Sequence, residues 1–211
     1  MHSLVRATVV AIALLLNLSV LACQAGSLGG QAMDPAQLTV GSGEVPGDLQ
    51  RCPASGSVDR YLVELKPKNQ EAYQTLQDSW LQLKKGGAKS AAIALFATGQ
   101  AACSARLGTA PGRSVANLVA TFPDDHAAAA AYQHGILGFP TPAPDEQVPG
   151  VSLGIATGLS QNAWVAERSI GGRNLYFAWW QDHSVAALLI SADLDTAEAR
   201  RAAEAVEARI R

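Results

Sequence analysis

Chemistry-bearing residues are sparse in this chain. Its 211 residues include only 3 cysteines, 4 histidines and 2 methionines, and charged side chains make up 16%. No two cysteines form a C-x-x-C pair and no two histidines stand at i, i+4, so neither a redox dithiol nor a two-histidine metal face on a helix is encoded. There is no block of like charges and the formal net charge is −2, which gives no electrostatic basis for holding nucleic acid. Hydrophobic residues, by contrast, reach 48%, enough to bury a core. The sequence predicts no cofactor and no metal site.

The longest apolar run is at the start. Arg6 supplies a positive charge, Ala7 to Leu16 is almost wholly aliphatic, and Asn17 to Ala22 leads to Cys23. This is the layout of a secretory signal, and the run is short for a spanning helix, which needs roughly 20 apolar residues. Val20-Leu21-Ala22-Cys23 resembles the lipobox of bacterial lipoproteins. The resemblance covers only the first two dozen residues. It implies cleavage before Cys23, leaving 1–22 as the signal, and diacylglycerol acylation of Cys23 with frequent acylation of the new amino group. Such a cysteine carries the two or more acyl chains that stable attachment requires. Gln24 rather than Asp follows the cysteine, which in an envelope with two membranes argues against inner-membrane retention. The expected location is therefore a cell membrane or outer membrane, facing the extracytoplasmic side.

Setting Cys23 aside leaves Cys52 and Cys103, an even pair in an exported chain, and a disulfide between them is expected. From 23 to 48 the chain is rich in glycine and has no aromatic residue or sustained period, so it reads as a flexible tether from the lipidated cysteine. The folded domain is expected over 49–211. Ser57 or Asp59 can start a short helix that Pro67 ends. Asn69 caps a longer helix, with Tyr73, Leu76, Trp80 and Leu83 on one face, stopped at Gly86-Gly87. "AAIALFAT" and "RSVANLVATF" read as strands, and "PDDHAAAAAYQHG" as a capped alanine-rich helix. "NAWVAERSI", "LYFAWWQ" and "SVAALLISA" follow as strands joined by tight turns. The last helix, Asp195 to Arg211, has an apolar stripe of Ala199, Ala202, Ala203, Val206 and Ile210, with Glu207 and Arg211 spaced as a pair on its wet face.

"SVANLVATF" followed by an acidic cap and helix resembles "SVAALLISA" followed by the same, each after another strand. The pattern suggests a strand-strand-helix unit present twice. The expected fold class is α+β, an antiparallel sheet with helices packed mainly on one face.

Candidate catalytic groups do not assemble in the linear order. "GGAKS" lacks the glycine a phosphate-binding loop needs before its lysine and follows a helix rather than a strand. Ser160 in "GLSQN" lacks the second glycine of a nucleophile elbow, and "TGLSQN" reads as a turn with Gly158 and Asn162 in demanding backbone conformations. Asp124, Asp125 and His126, and Asp182 with His183, fall where caps and turns are expected. A hydrolase would require His126, Asp125 and Ser160, or His183 and a carboxylate, to meet in one cleft.

The aromatic strand is the exception. Leu175, Phe177 and Trp179 share one face, Tyr176, Ala178 and Trp180 the other, and its hairpin partner is apolar on both faces. Something must cover the second face, and Trp164 is a candidate to join it. Trp164, Tyr176 and Trp180 are thus either ordinary core or a surface for an apolar ligand or an envelope protein. The functional expectation is a membrane-anchored lipoprotein acting as a non-enzymatic binding or envelope-associated module. The alternative is an envelope hydrolase whose site forms only in the fold.

Overall fold

The structure is a computed structural model that describes residues 33–105, 107 and 111–211. The signal at 1–22, Cys23 and the first part of the expected tether lie outside the described residues. Asp34–Arg211 forms one compact unit. Within it no helix is long and apolar enough to cross a membrane.

Its centre is an eight-stranded antiparallel sheet. The strands are β1 (Gln50–Arg51), β2 (Gly56–Ser57), β3 (Ser90–Ala97), β4 (Ser114–Thr121), β5 (Val151–Leu153), β6 (Asn162–Ile170), β7 (Arg173–Asp182) and β8 (Val185–Ala192). They lie in the order β1-β3-β4-β8-β7-β6-β5, with β2 also paired to β3. The middle strands β3, β4 and β8 are buried at nearly every position because both their faces are covered. Gly171 and Gly172 make the two-residue turn between β6 and β7, both at positive φ, as such turns require.

The helices are α1 (Pro35–Leu38), α2 (Val58–Leu65), α3 (Gln70–Lys85), α4 (Asp125–His134) and α5 (Thr196–Ile210). Each starts where a side chain can accept from an otherwise unpaired N–H. Asn69 accepts from Ala72, Asp124 from Ala127, and Asp195 from Glu198. Helices α2, α3 and α4 bury Tyr61, Leu76, Trp80, Ala128 and Tyr132 against one face, over Ile93, Leu118, Leu188 and Trp179. Trp80 Nε1 donates to Asp59 Oδ1 at 3.0 Å and ties α3 to α2. The expected α+β sheet with most of its helices on one face is the observed fold.

The second face is covered by α5 and by residues that the sequence reading placed in the tether. Leu38, Val40 and Val45 are buried there, next to Leu49 of the expected domain, with Ala199, Ala202, Val206 and Ile210, over Phe96, Leu189 and Trp180. The domain thus begins at Asp34, not at 49. Three or four apolar side chains scattered among glycines are too few to show a period, yet each fills a place on the sheet. Arg209 of α5 clamps this segment, donating to the Thr39 carbonyl at 2.9 Å and pairing with Glu44. Glu207 also departs from expectation: it is buried, not on the wet face. It follows Ala203 by four residues and so belongs to the buried stripe. Its Oε1 accepts from Arg211 Nε at 3.0 Å. Burial raises its pKa, opposed chiefly by Arg211.

The two suggested strand-strand-helix units correspond through their strands and part at their helices. Val115 and Val185 face the same side, as do Ala116 and Ala186. After β4 the chain passes directly to α4 on the first face. After β8, Asp193 takes φ of 58° and turns α5 onto the second. Arg173 Nε donates to Asp193 Oδ2 at 2.9 Å, and the Asn174 N–H to Asp193 Oδ1 at 3.1 Å, holding this conformation in place. The Cys52–Cys103 disulfide joins the segment after β1 to the 3-10 turn after β3, with a Cα separation of 5.5 Å.

Candidate functional site

The first face is sealed by α2, α3 and α4 over its centre and is less covered where β6 and β7 extend beyond them. Alternation along β6 places Trp164, Ala166, Arg168 and Ile170 on this side. On β7, Leu175 and Phe177 stand opposite Arg168 and Ala166. Together with Ile190 of β8 they floor a groove of about 390 Å³, walled by Leu107, Leu137, Phe139 and Val151. Its size and apolar lining are those of a small-molecule pocket. The depression beside it, along Pro144–Leu153, is edged by Asp145 and Glu146 instead.

The floor is an aromatic stack. Trp164 and Phe177 lie with ring centroids 4.8 Å apart and planes 17° from parallel, and Phe139 tilts onto Phe177 at 5.0 Å. Phe139 is held there by a tight turn in which Gly135, Leu137 and Gly138 all have positive φ. At Gly135 any side chain would strike the Phe139 carbonyl, so the turn depends on glycine at that position. Leu137, a leucine at φ of 52°, is conformationally costly, and it lines the groove. Half of Phe139 remains exposed.

Of the three residues singled out from the sequence, only Trp164 belongs to this site. It is 5% exposed, and its Nε1 has no hydrogen-bond partner. Tyr176, 4% exposed, and Trp180, fully buried, lie on the opposite face beneath α5. Trp164 does not join them because it is paired with Trp179, which sets it on the first face. Tyr176 therefore offers no accessible surface, and burial pushes its hydroxyl up to about 12. Phe139, Leu137 and Arg168 were not anticipated. Arg168 could have been found by extending the period-2 pattern of Trp164 and Ala166, whereas the 135–139 wall is irregular and has no sequence signature.

The histidines and serines are placed as follows. Ser160 Oγ lies 2.7 Å from the Gln181 carbonyl and 3.0 Å from that of Asn162, so its hydroxyl is committed to the backbone. Gly158 has the expected left-handed φ of 82°, but Asn162 does not: it opens β6. His126 is exposed on α4, and His183 Nδ1 is 4.0 Å from Asp125 Oδ2 in a pair that is solvent-exposed on both sides. Gly150-Val151-Ser152-Leu153-Gly154 does fit G-x-S-x-G, a match the sequence reading missed. Ser152 sits in the middle of β5 and is followed by a 3-10 turn, however, and no histidine is among the described residues that line its cleft, so it is not a strand-to-helix elbow.

No family model matches the chain, and no curated protein matches it at a significant level.

Proposed function

We propose that this chain is a lipid-anchored extracytoplasmic binding protein that takes an apolar ligand into the groove over Trp164 and Phe177. The observation that carries this reading is the groove: an aromatic floor left open on the face whose centre α2, α3 and α4 cover. An apolar cavity of this volume loses hydration when filled, and Phe139 and Ile170 at its rim would bury further area. The lipobox-like Val20-Leu21-Ala22-Cys23 supports the anchor. Only ten residues, Gln24–Met33, separate Cys23 from the compact unit. Fully extended they span roughly 40 Å at most, which keeps the domain near the lipid surface.

Two measurements test the reading. The uncharged dye N-phenyl-1-naphthylamine is expected to brighten with the wild-type protein and not with Ala166→Trp, which fills the groove. Equal brightening with both would overturn the site. For the anchor, wild-type protein should partition with membranes after cleavage before Cys23, while Cys23→Ser is soluble or uncut. Identical mature mass and partition for the two would overturn it.

A further inference from the structure

One charged residue lines the groove among those described, Arg168 at its mouth. Its Nη1 donates to the carbonyls of Gly150 and Glu167, each at 3.1 Å, which fixes the guanidinium plane. Gly150, at φ of 69°, permits that approach, since a Cβ there would collide with Arg168 Nη1. Among the described residues the Nε and Nη2 edge has no hydrogen bond or ion pair. The neighbouring carboxylate, Glu167, is on the other face of the strand and accepts from Thr196 Oγ1 at 2.9 Å. A guanidinium held by one nitrogen, with its two-donor edge free beside an apolar groove, matches a carboxylate or phosphate bidentately.

Resting on the groove reading above, we infer that the ligand is a single-chain anionic amphiphile, its tail over Trp164 and Phe177 and its acidic head on the Nε and Nη2 edge of Arg168. No carboxylate is among the described residues that line the groove.

The chain from Gln24 to Arg211, which contains the whole compact unit, is loaded with N-phenyl-1-naphthylamine and titrated with amphiphiles of one tail length below their micelle-forming concentrations. Laurate and dodecyl phosphate should displace the dye at concentrations about tenfold lower than dodecyltrimethylammonium. Whichever anion is tighter identifies the head group. Arg168→Gln should bring the three together, and Arg168→Lys, which keeps the charge but loses the fork, should fall between. Arg168 is exposed, so both variants should keep a Tm within about 2 °C of wild type; should either fail to fold, the wild-type comparison of anion and cation still decides. Equal displacement by anion and cation in the wild type would overturn the anionic head while leaving the groove reading standing. No dye binding at all would overturn both. Binding only to phosphatidylglycerol vesicles, with none to monomeric amphiphile, would show a membrane-docking surface and overturn the inference.

Discussion

At the scale of single residues, polar groups do the positioning that apolar packing leaves undetermined. Asn117 is fully buried in β4, between Ala116 and Leu118 and paired across the sheet with Ala94 and Leu189. Its Oδ1 accepts from the Val40 N–H at 2.8 Å and its Nδ2 donates to the Leu188 carbonyl at 2.9 Å. One side chain thereby fixes the N-terminal segment on the second face. Asn117→Ala would leave two buried backbone groups short of a partner, and chemical denaturation should show a loss of about 2 to 3 kcal/mol. Glu44 works at the same scale. Its hydrogen bond to Arg209 holds its carboxyl below the ordinary value of 4.5, against the opposing effect of burial. A depressed folded-state pKa means that the stabilisation is present above the unfolded value and lost as pH falls through the folded one. Glu44→Gln should therefore cost most near neutral pH, and its stability curve should converge on wild type as pH drops below 4.5. A cost independent of pH would show that the ion pair is not its source.

At the scale of elements, the contrast between α4 and α5 is instructive. The strands before them match in sequence and in the faces they present, and both helices begin with an aspartate cap. Opposite placement follows from the connection. Pro123 leads into α4, while Asp193 adopts a left-handed conformation that Arg173 and Asn174 stabilise through its carboxylate. α5 then lies where Trp180, Ala187 and Leu189 would otherwise meet water. Burying Val206 and Ile210 contributes roughly 1.5 to 3 kcal/mol each. Arg113 adds a tie among elements, pairing with Asp48 ahead of β1 and with Glu198 at the start of α5. Such partly exposed pairs are worth little singly and serve mainly to orient the N-terminal segment and α5 over the same end of the sheet.

For the whole molecule, two apolar layers share one sheet, and the edge at β1 and β2 is its thinnest part. Those two strands contribute only two residues each to pairing with β3. The Cys52–Cys103 disulfide reinforces that edge across a sequence separation of 51 residues. Closing a loop of that size restricts the unfolded chain by about 4 kcal/mol in the chain-entropy account. Cys52→Ala with Cys103→Ala should lower stability by up to that amount, read as a reduced denaturant midpoint, while the groove, floored on β6 and β7 and taking only Leu107 of its described wall from the segment after Cys103, should still bind the dye. Loss of dye binding in a variant that remains folded would show that the Leu107 wall depends on the disulfide.

Much of this fold was legible in the sequence because the signals concerned are local. Asn69, Asp124 and Asp195 cap helices through a side chain that reaches an N–H three residues on, which needs nothing beyond one turn of chain. The alternation in "LYFAWWQ" and the doubly apolar "SVAALLISA" state directly that both faces of those strands are buried, and Cys52 with Cys103 follows from an even count. The places where packing departs from expectation depend on distant partners. Val40 and Val45 look like tether until the surface beneath α5 and around Asn117 is known, and Glu207 looks wet until α5 is docked. Trp164 reads as a companion of Trp180 until the register with Trp179 sets its face. By itself the sequence determined the longer elements, their caps, the disulfide and the apolar excess, since each is a matter of spacing along the chain. Only the tertiary structure decided which face each helix covers, where the domain begins, and that Trp164, Phe177, Phe139 and Arg168 meet in one groove, because those outcomes are set by registry and packing between residues far apart in the chain.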